Sequence, residues 1–495
     1  MSKILDNLRP TEVKELSDKL SFAIPGARFS EAFIKGRWDG RKRLFSSTTY
    51  QFPTGLCEDV RKILKNYKIK FEFDFRKPQI KQFDVDFEFP HPLRDYQIEA
   101  SECLIGAVRG IMVMGTGGGK TLTALKVIQH YGVRSLFLVN TKEALYDTIR
   151  AAESCFPKEK IGILGDGKSK EGGLVTISTV ASMYRKVCLG DIPTDTFDLI
   201  FLDEVHHVGS DSWMKVVKYF NAVYKYGMTG TAFRTDGSSM LLRAMTGPVC
   251  FNMPSIELQN KGHLAKSKIY FIDCDKPDYL DRPLEYRELY DEGIVNNEFR
   301  NKLVVELVRK YMGKSMLIVF EKLEHGDILF EMIKKIDKNA VLIEGKTKKR
   351  EDLKLKFESG ELKTVVASRI YNESADIPIL EVVINASGGK SGISVLQRIG
   401  RALRNFDGKT KALIFDFFDS FNLQLENHSK ERLKWIKKEK HDFKIIKSIK
   451  EVENEGTKNS AKRVEVGKQA VSGRLGKKAK SVSGDDIKGR KKHIQ

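Results

Sequence analysis

The chain of 495 residues lacks any apolar run approaching the ~20 residues that a helix needs to cross a bilayer, so no membrane span is expected. Its opening residues, 1–10, are polar, which argues against a secretory signal. The six cysteines (Cys57, Cys103, Cys155, Cys188, Cys250 and Cys274) include no CxxC pair, which argues against a metal or disulfide framework. A reducing, cytoplasmic setting is the expectation that follows. Acidic residues are also short in supply: 66 against 86 basic ones, for a formal net charge of +20. Such an excess favours a polyanionic partner, nucleic acid above all. A merely soluble basic protein would show the same figure.

What is present centres on one stretch. Apolar residues 110–114 lead into Gly115, Thr116, Gly117, Gly118, Gly119, Lys120 and Thr121, and an amphipathic run, 122–131, follows. This reads as strand, glycine-rich loop and helix. Glycines allow the loop to turn its amides inward, and those amides together with a helix N-terminus cradle a polyphosphate. Lys120 reaches the outer phosphates, and the Thr121 hydroxyl suits Mg2+. The strict phosphate-loop pattern has a glycine where this chain has Met114.

Residues 1–89 read as a small basic N-terminal domain that binds DNA. Residues 11–20 and 58–67 are helical patterns, and 68–75 alternates like a strand. Between them, 33–45 packs basic residues around Trp38, with the turn signal Asp39-Gly40 between two strand-like runs. A hairpin of this kind grips phosphates through Arg41, Lys42 and Arg43 and stacks a base on Trp38. A small core around Trp38 with solvated basic edges fits equally well.

From residue 90 the pattern changes. Leu93, Arg94, Asp95, Tyr96 and Gln97 precede a helical run, 98–108, and the Gln97 amide can read an adenine edge, with Arg94 or Tyr96 against the ring. Strands and helices then alternate, as in a parallel sheet with crossover helices. The strand at 135–139 ends in Thr141 and Lys142, and that at 174–177 ends near Thr179. Ligands bind at the carboxyl ends of such strands, so these three are candidate phosphate contacts, although ordinary helix caps explain each as well. The apolar strand 197–202 delivers Asp203 and Glu204, with His206 close behind. Asp203 fits a magnesium ligand, and Glu204 fits a group that orients and deprotonates water. A strand near 226–229 ends in Thr229, Gly230 and Thr231, small residues suited to coupling the acids to a neighbouring domain.

Further on, strands are expected at 268–274, 316–320, 363–367 and 413–415, with a helix over 297–311. On a helix, Gln397, Gly400, Arg401 and Arg404 share one face, and two arginines on such a face can clamp a γ-phosphate. Residues 426–450 form a lysine-rich helical pattern. Beyond 451 the chain is rich in Gly, Ser and Lys, so a basic, disordered tail is expected.

Tyr96-Gln97, residues 115–121, Asp203-Glu204-Val205-His206, Thr229-Gly230-Thr231 and Gln397-x-x-Gly400-Arg401-x-x-Arg404 stand in the order of the superfamily-2 helicase motifs. Over about residues 93–420 the chain resembles that family. Its DEVH box and Leu-Arg-x-Tyr-Gln string are similar to the restriction and repair branch. Gly36-x-Trp38-Asp39-Gly40 with Pro53-x-Gly55-Leu56 resembles the leading domain of phage UvsW-type branch-migration helicases. Ser374, where the family often has glycine, is a second departure beside Met114.

The resemblance implies an α/β chain of two tandem RecA-like phosphate-loop domains behind a small α+β N-terminal domain. The expected division is 1–89, then 90–255 (ATP-binding), then 256–425 (connector and second helicase domain), then 426–495 (basic helical extension and tail). It implies ATP and Mg2+ in the cleft, Asp376 at the ribose, Gln397 near the phosphates, and Arg401 and Arg404 as arginine fingers. Thr141, Thr179 and Ser368 would hold strand phosphates, and movement would run 3′ to 5′. The expected partner is branched or forked DNA, duplex and single strand, acted on by a monomer in a phage-infected host's cytoplasm. An RNA helicase, a duplex translocase that does not separate strands, and a nucleic-acid-binding protein switched by ATP all remain open.

Overall fold

Apolar residues alternate between two faces along each central strand, and in the folded chain both faces are covered. Met112 and Met114 point to one core and Ile111 and Val113 to the other; Phe137 and Leu138, and Phe201 and Leu202, divide in the same way. That pattern belongs to parallel sheets with helices on both sides. The computed structural model describes residues 2–4, 8–24, 26–66, 73–74, 80, 82–83, 85, 87–170, 172–205, 210–230, 238–274, 284–347, 350–368, 379–390, 400, 409 and 411–452.

Among its described residues the N-terminal module has five short strands: β1 (Ser2–Ile4), β2 (Ser21–Ala23), β3 (Arg41–Arg43), β4 (Gln51–Phe52) and β5 (Phe73–Asp74). They form an antiparallel sheet in the order β4-β1-β5 and a separate antiparallel pair, β2-β3. Helices Pro10–Lys19 and Cys57–Asn66 stand where they were expected. The hairpin does not. Residues 31–34 are a helical turn, and β3 pairs with β2 rather than with a strand at 33–38. Asp39-Gly40 therefore ends a structured loop, and Gly40 adopts φ +74° there. Of the expected strand at 68–75, the described part is β5.

The first lobe carries β6 (Arg109–Met114), β7 (Ser135–Val139), β8 (Ile161–Gly165), β9 (Lys168–Lys170), β10 (Val175–Thr179), β11 (Leu199–Leu202), β12 (Tyr224–Thr229) and β13 (Val249–Met253). Their order is β13-β6-β12-β11-β7-β10-β8-β9, with every pairing parallel except β8-β9. The second lobe carries β14 (Lys266–Asp273), β15 (Met316–Phe320), β16 (Val341–Ile343), β17 (Thr364–Ser368), β18 (Val382–Asn385), β19 (Lys411–Phe418) and β20 (Phe443–Ile446). Their order is β16-β17-β15-β18-β19-β14-β20, all parallel.

Two details depart from expectation. The helical pattern after residue 426 begins at 423 and stops at 438 (Leu423–Lys438), and the chain then supplies β20, an edge strand on β14. The N-terminal module is not a free body either: its core is continuous with one face of the first sheet. Gly55 marks the contact, since a Cβ there would lie 2.0 Å from the Arg243 carbonyl oxygen, and Arg243 Nη1 meets Asp59 Oδ1 at 2.8 Å. By its contacts the chain divides into Met1–Lys447 and Ser448–Gln495. The described part of the latter is a short turn, Ile449–Glu451, capped by Ser448. Among the described residues no helix is long and apolar enough to cross a membrane.

Candidate nucleotide site and nucleic-acid face

The loop after β6 is built by its neighbours. Gly115 N–H donates to the Met253 carbonyl at 2.9 Å, and a Cβ on Gly115 would strike Ser255. Met114, the departure from the strict pattern, is fully buried, and its side chain fills the space beside Gly118, where a Cβ would come within 2.7 Å of Met114 Cγ. The methionine thus packs the loop from beneath. Gly117 and Gly119 adopt φ +85° and +88°, the region that favours glycine. Helix Lys120–Tyr131 starts directly at Lys120, whose Nζ donates to the Met114 carbonyl at 3.4 Å across the mouth of the loop. Thr121 sits in the first turn of the same helix.

Gln97 is buried and fully engaged. Its Oε1 accepts from Arg94 N–H at 2.9 Å, and its Nε2 donates to the Gly118 carbonyl at 3.0 Å. Tyr96 donates to the same carbonyl at 3.0 Å while its ring lies 4.8 Å from His263, and Arg94 Nη1 donates to the Tyr96 hydroxyl. One end of the Gln97 amide therefore holds the loop, and the other caps the N-terminus of its own helix. Arg94 is the exposed member of the trio.

Strand β11 ends in the acids. Asp203 N–H donates to the Leu138 carbonyl at 2.9 Å, and Glu204 N–H donates to Asp203 Oδ1 at 3.0 Å. Glu204 holds φ +47°, a left-handed conformation that a non-glycine residue keeps only when its surroundings enforce it. Thr229, at the end of β12, donates from Oγ1 to Glu204 Oε2 at 3.3 Å. A Cβ on Gly230 would lie 2.8 Å from Thr116 Oγ1 and 3.4 Å from Lys120 Nζ. From the second lobe, Gly400 abuts the same loop: a Cβ there would be 2.3 Å from Thr116 Cβ. Phosphate loop, paired acids, Thr229-Gly230 and Gly400 thus converge on one cleft between the lobes. His206, Thr231, Asp376, Gln397, Arg401 and Arg404 lie outside the described residues.

Of the expected strand contacts, Thr141, Lys142 and Thr179 stand at the carboxyl ends of β7 and β10 in the first sheet, and Ser368 stands at that of β17 in the second. Thr141 and Thr179 are N-caps, their hydroxyls accepting from Ala144 and Ser182 amides, so the cap reading of each holds. Lys142 is exposed and paired with Asp166, which raises its pKa above the ordinary lysine value. Beside Thr179 opens a cavity of about 560 Å³, lined by Asn140, Tyr184, Arg185, Cys188 and Trp213 among others. There Lys215 donates to Cys188 Sγ at 3.2 Å, which holds that thiol below its ordinary range. Ser368 ends β17, buried, and among the described residues its hydroxyl has no partner. In the N-terminal module, Trp38 Nε1 donates to the Arg41 carbonyl at 2.8 Å, Arg41 bonds Ser21, and Arg43 pairs with Asp39. Lys42 is half-buried on β3.

Sequence reasoning missed the support beneath the second lobe's loop, residues 386–390. Arg300 donates to the Ala386 carbonyl and pairs with Asp419 at 3.0 Å. Arg432 donates to the Gly389 carbonyl at 2.8 Å and pairs with Asp416 at 3.0 Å. Both arginines and both aspartates are buried. Burial raises the Asp419 pKa against the pull of Arg300 and Arg432. Burial also opposes the charge on Arg432, and Asp416 and Asp419 outweigh it, so its pKa lies above the ordinary value. Arginine on a helix reads in sequence as solvated, so no local signal marks this network.

Three family models match: type III restriction enzyme, res subunit, over residues 90–234; helicase conserved C-terminal domain over 300–406; and the N-terminal domain of DNA helicase UvsW over 10–74. The DNA 3′-5′ translocase XPB2 of Sulfurisphaera tokodaii is 26% identical over 77% of this chain and 93% of that protein. The ATP-dependent DNA helicase uvsW of Enterobacteria phage T4 is 26% identical over 82% of this chain and 86% of that one. Among solved structures, a fragment of an HsdR subunit of a type I restriction enzyme from Vibrio vulnificus shares the fold, with TM-score 0.56 and 18% identity over 79% of this chain and 74% of that one.

Proposed function

Since this chain is a superfamily-2 helicase resembling the UvsW type, hence an ATP-dependent DNA helicase, we propose that it unwinds or branch-migrates forked and four-way DNA in phage recombination, replication or repair. The observation that carries the motor part is the convergence of Lys120, Glu204, Thr229-Gly230 and Gly400 on one cleft.

In this reading Lys120 leaves the Met114 carbonyl to meet the outer phosphates, and the amides of residues 115–121 cradle them. Gln97 and Tyr96 position the loop, and Arg94, exposed and held by the Tyr96 hydroxyl, lies against the base. Thr121 and Asp203 offer hard oxygen donors at the end of a helix and of a strand, a set that fits Mg2+ with most of its waters retained. When bound, that ion would neutralise charge on the phosphates. Glu204 accepts the proton of the attacking water, and Thr229 holds its carboxylate in place. Arg401 and Arg404 stabilise the transferring group across the cleft, Asp376 holds the ribose, and Gln397 stands near the phosphates. His206 and Thr231 complete the coupling between the acids and the second lobe. Closure around ATP and reopening after phosphate loss shift the grip of Thr141, Lys142, Thr179 and Ser368 along a strand. The division proposed is an N-terminal DNA-binding module through 89, a first lobe from 90, and a second lobe extended through β20, with the protein working as a monomer in the cytoplasm.

The test is ATP hydrolysis with no nucleic acid, single-stranded DNA, linear duplex, single-stranded RNA and a four-way junction at matched concentration and salt. Strong stimulation by the junction, with little by RNA, is expected. Equal stimulation by RNA would overturn the DNA assignment, and no stimulation by any of them would overturn the motor.

A further inference from the structure

Strands β2 and β3 form a stem, and the residues between them form a crown. Ile24 N–H donates to the Gly40 carbonyl at 2.8 Å where the stem ends. Within the crown, a turn at Ala27–Phe29 follows Gly26 at φ +77°, helix Glu31–Ile34 follows with Ser30 as its cap, and Gly36 at φ +65° closes it. Amides of Ala27, Phe29, Ser30, Ile34, Lys35 and Arg37 are all bonded to crown carbonyls. This is an ordered projection. Its apolar side chains nevertheless face out: Phe29 is 73% exposed, Ile34 70% and Phe33 40%. Phe33 is the anchor, since its ring backs onto Gly40.

The charge around this tip is one-sided. The crown's acids are occupied, Glu31 by Lys35 and Asp39 by Arg43. Arg28 lies over the Phe29 ring at 4.8 Å and is exposed, as is Arg37; among the described residues neither is paired with a carboxylate. An ordered apolar tip ringed by unneutralised cations calls for a partner that offers an apolar face set between phosphates. In duplex DNA base-pair faces are hidden by stacking and are bared only where the stack stops: at an end, a fork or a junction. Phe29 and Ile34, both mostly exposed, can lie flat against such a face.

We propose that Phe29 and Ile34 stack on the exposed base pair at a DNA branch point, with Arg28 and Arg37 on the flanking phosphates. This rests on the DNA-motor reading and deepens it, moving the branch contact from Trp38, whose ring N–H is spent on the Arg41 carbonyl of the stem, to the tip.

The test uses the full chain carrying Phe29→Ala with Ile34→Ala. Both side chains are exposed, so folding is unaffected, and hydrolysis stimulated by single-stranded DNA serves as the control. Affinity for a forked duplex and a four-way junction should fall about tenfold or more. Affinity for single strand should hold, and quenching of 2-aminopurine placed at the fork should be lost. Phe29→Trp with Ile34 intact should keep both. Unchanged affinity for fork and junction, or an equal loss on single strand, would overturn the proposal. If no DNA stimulates hydrolysis by the natural chain, the motor reading falls, while the fork-binding comparison still reads the tip directly.

Discussion

The two lobes carry similar parallel sheets but hold their loops by opposite means. In the first, neutral groups do it: Gln97 and Tyr96 donate to the Gly118 carbonyl, and Gly115 N–H donates to Met253. In the second, buried charges do it, with Arg300 and Arg432 gripping the carbonyls of Ala386 and Gly389 while Asp419 and Asp416 balance them. A neutral scaffold leaves the positive field of the phosphate loop undiminished for an anionic ligand. A self-compensated network offers no charge to a ligand but fixes the direction of the loop it grips. In the proposed reading the first lobe receives phosphate and the second presents a rigid surface to it.

The sharpest break in that comparison comes from one cation of each lobe. Lys120→Ala should cut ATP hydrolysis by about 10²–10³-fold or more, because a preorganised charge at the phosphates is removed. Arg404→Ala should lower turnover by about 10³-fold with little change in ATP affinity, as expected of a group that acts on the transition state. DNA binding should survive both changes. An Arg404 effect confined to nucleotide affinity would remove the distinction between receiving and presenting lobes.

The supports differ in cost as well as in kind. Arg432→Met strands buried Asp416 without its counter-charge, while Asp419 keeps Arg300, and should cost about 3–5 kcal/mol of stability. Gln97→Leu removes neutral bonds to Gly118 and to the Arg94 amide and should cost about 1–3 kcal/mol. Urea unfolding of the two variants measures both. Equal losses would mean that the buried charges contribute no more than ordinary hydrogen bonds. Docking of the N-terminal module comes next. Gly55→Ala forces a methyl group onto the Arg243 carbonyl and should cost about 1–3 kcal/mol, read as earlier proteolysis between the module and the first lobe.

The central strands were legible because burial on both faces demands continuous apolar runs, as in residues 135–139 and 316–320. The strand, glycine loop and helix over 110–131, and the strand that ends in Asp203 and Glu204, were legible because glycine spacing and a short apolar run mark them locally. The stem of the crown was not: β2 has three residues and no pattern of its own, so the alternation in 33–45 was paired with itself. Gln97 read as a base contact because an amide bonds an adenine edge and a carbonyl equally well, and only the position of Gly118 decides between them. Nothing local in the sequence marks Arg300 and Arg432 as buried, since their partners stand 119 and 16 residues away. The helix at 423–438 was extended to 450 because Lys and Glu dominate on both sides of a four-residue edge strand.

The smallest expected effect lies where the lobes join. His441 accepts or donates at Ser267 Oγ, 3.3 Å away, with Gln259 beside it. Burial lowers its pKa from 6.5 to about 4. The folded chain therefore keeps His441 neutral while the unfolded chain takes up a proton below about pH 6.5. Stability from this group is present above that pH and is lost as pH falls towards 4, at a limit of about 1.4 kcal/mol per pH unit. His325, which burial brings down to about 3, adds a slope of the same sign within the second lobe. His441→Asn should remove one proton's worth of this slope, so that the gap between urea midpoints at pH 7 and pH 5 narrows relative to the unsubstituted chain. An unchanged gap would mean that His441 is open to water in solution, and that the join between the lobes is looser than Gln259, Ser267 and His441 make it here.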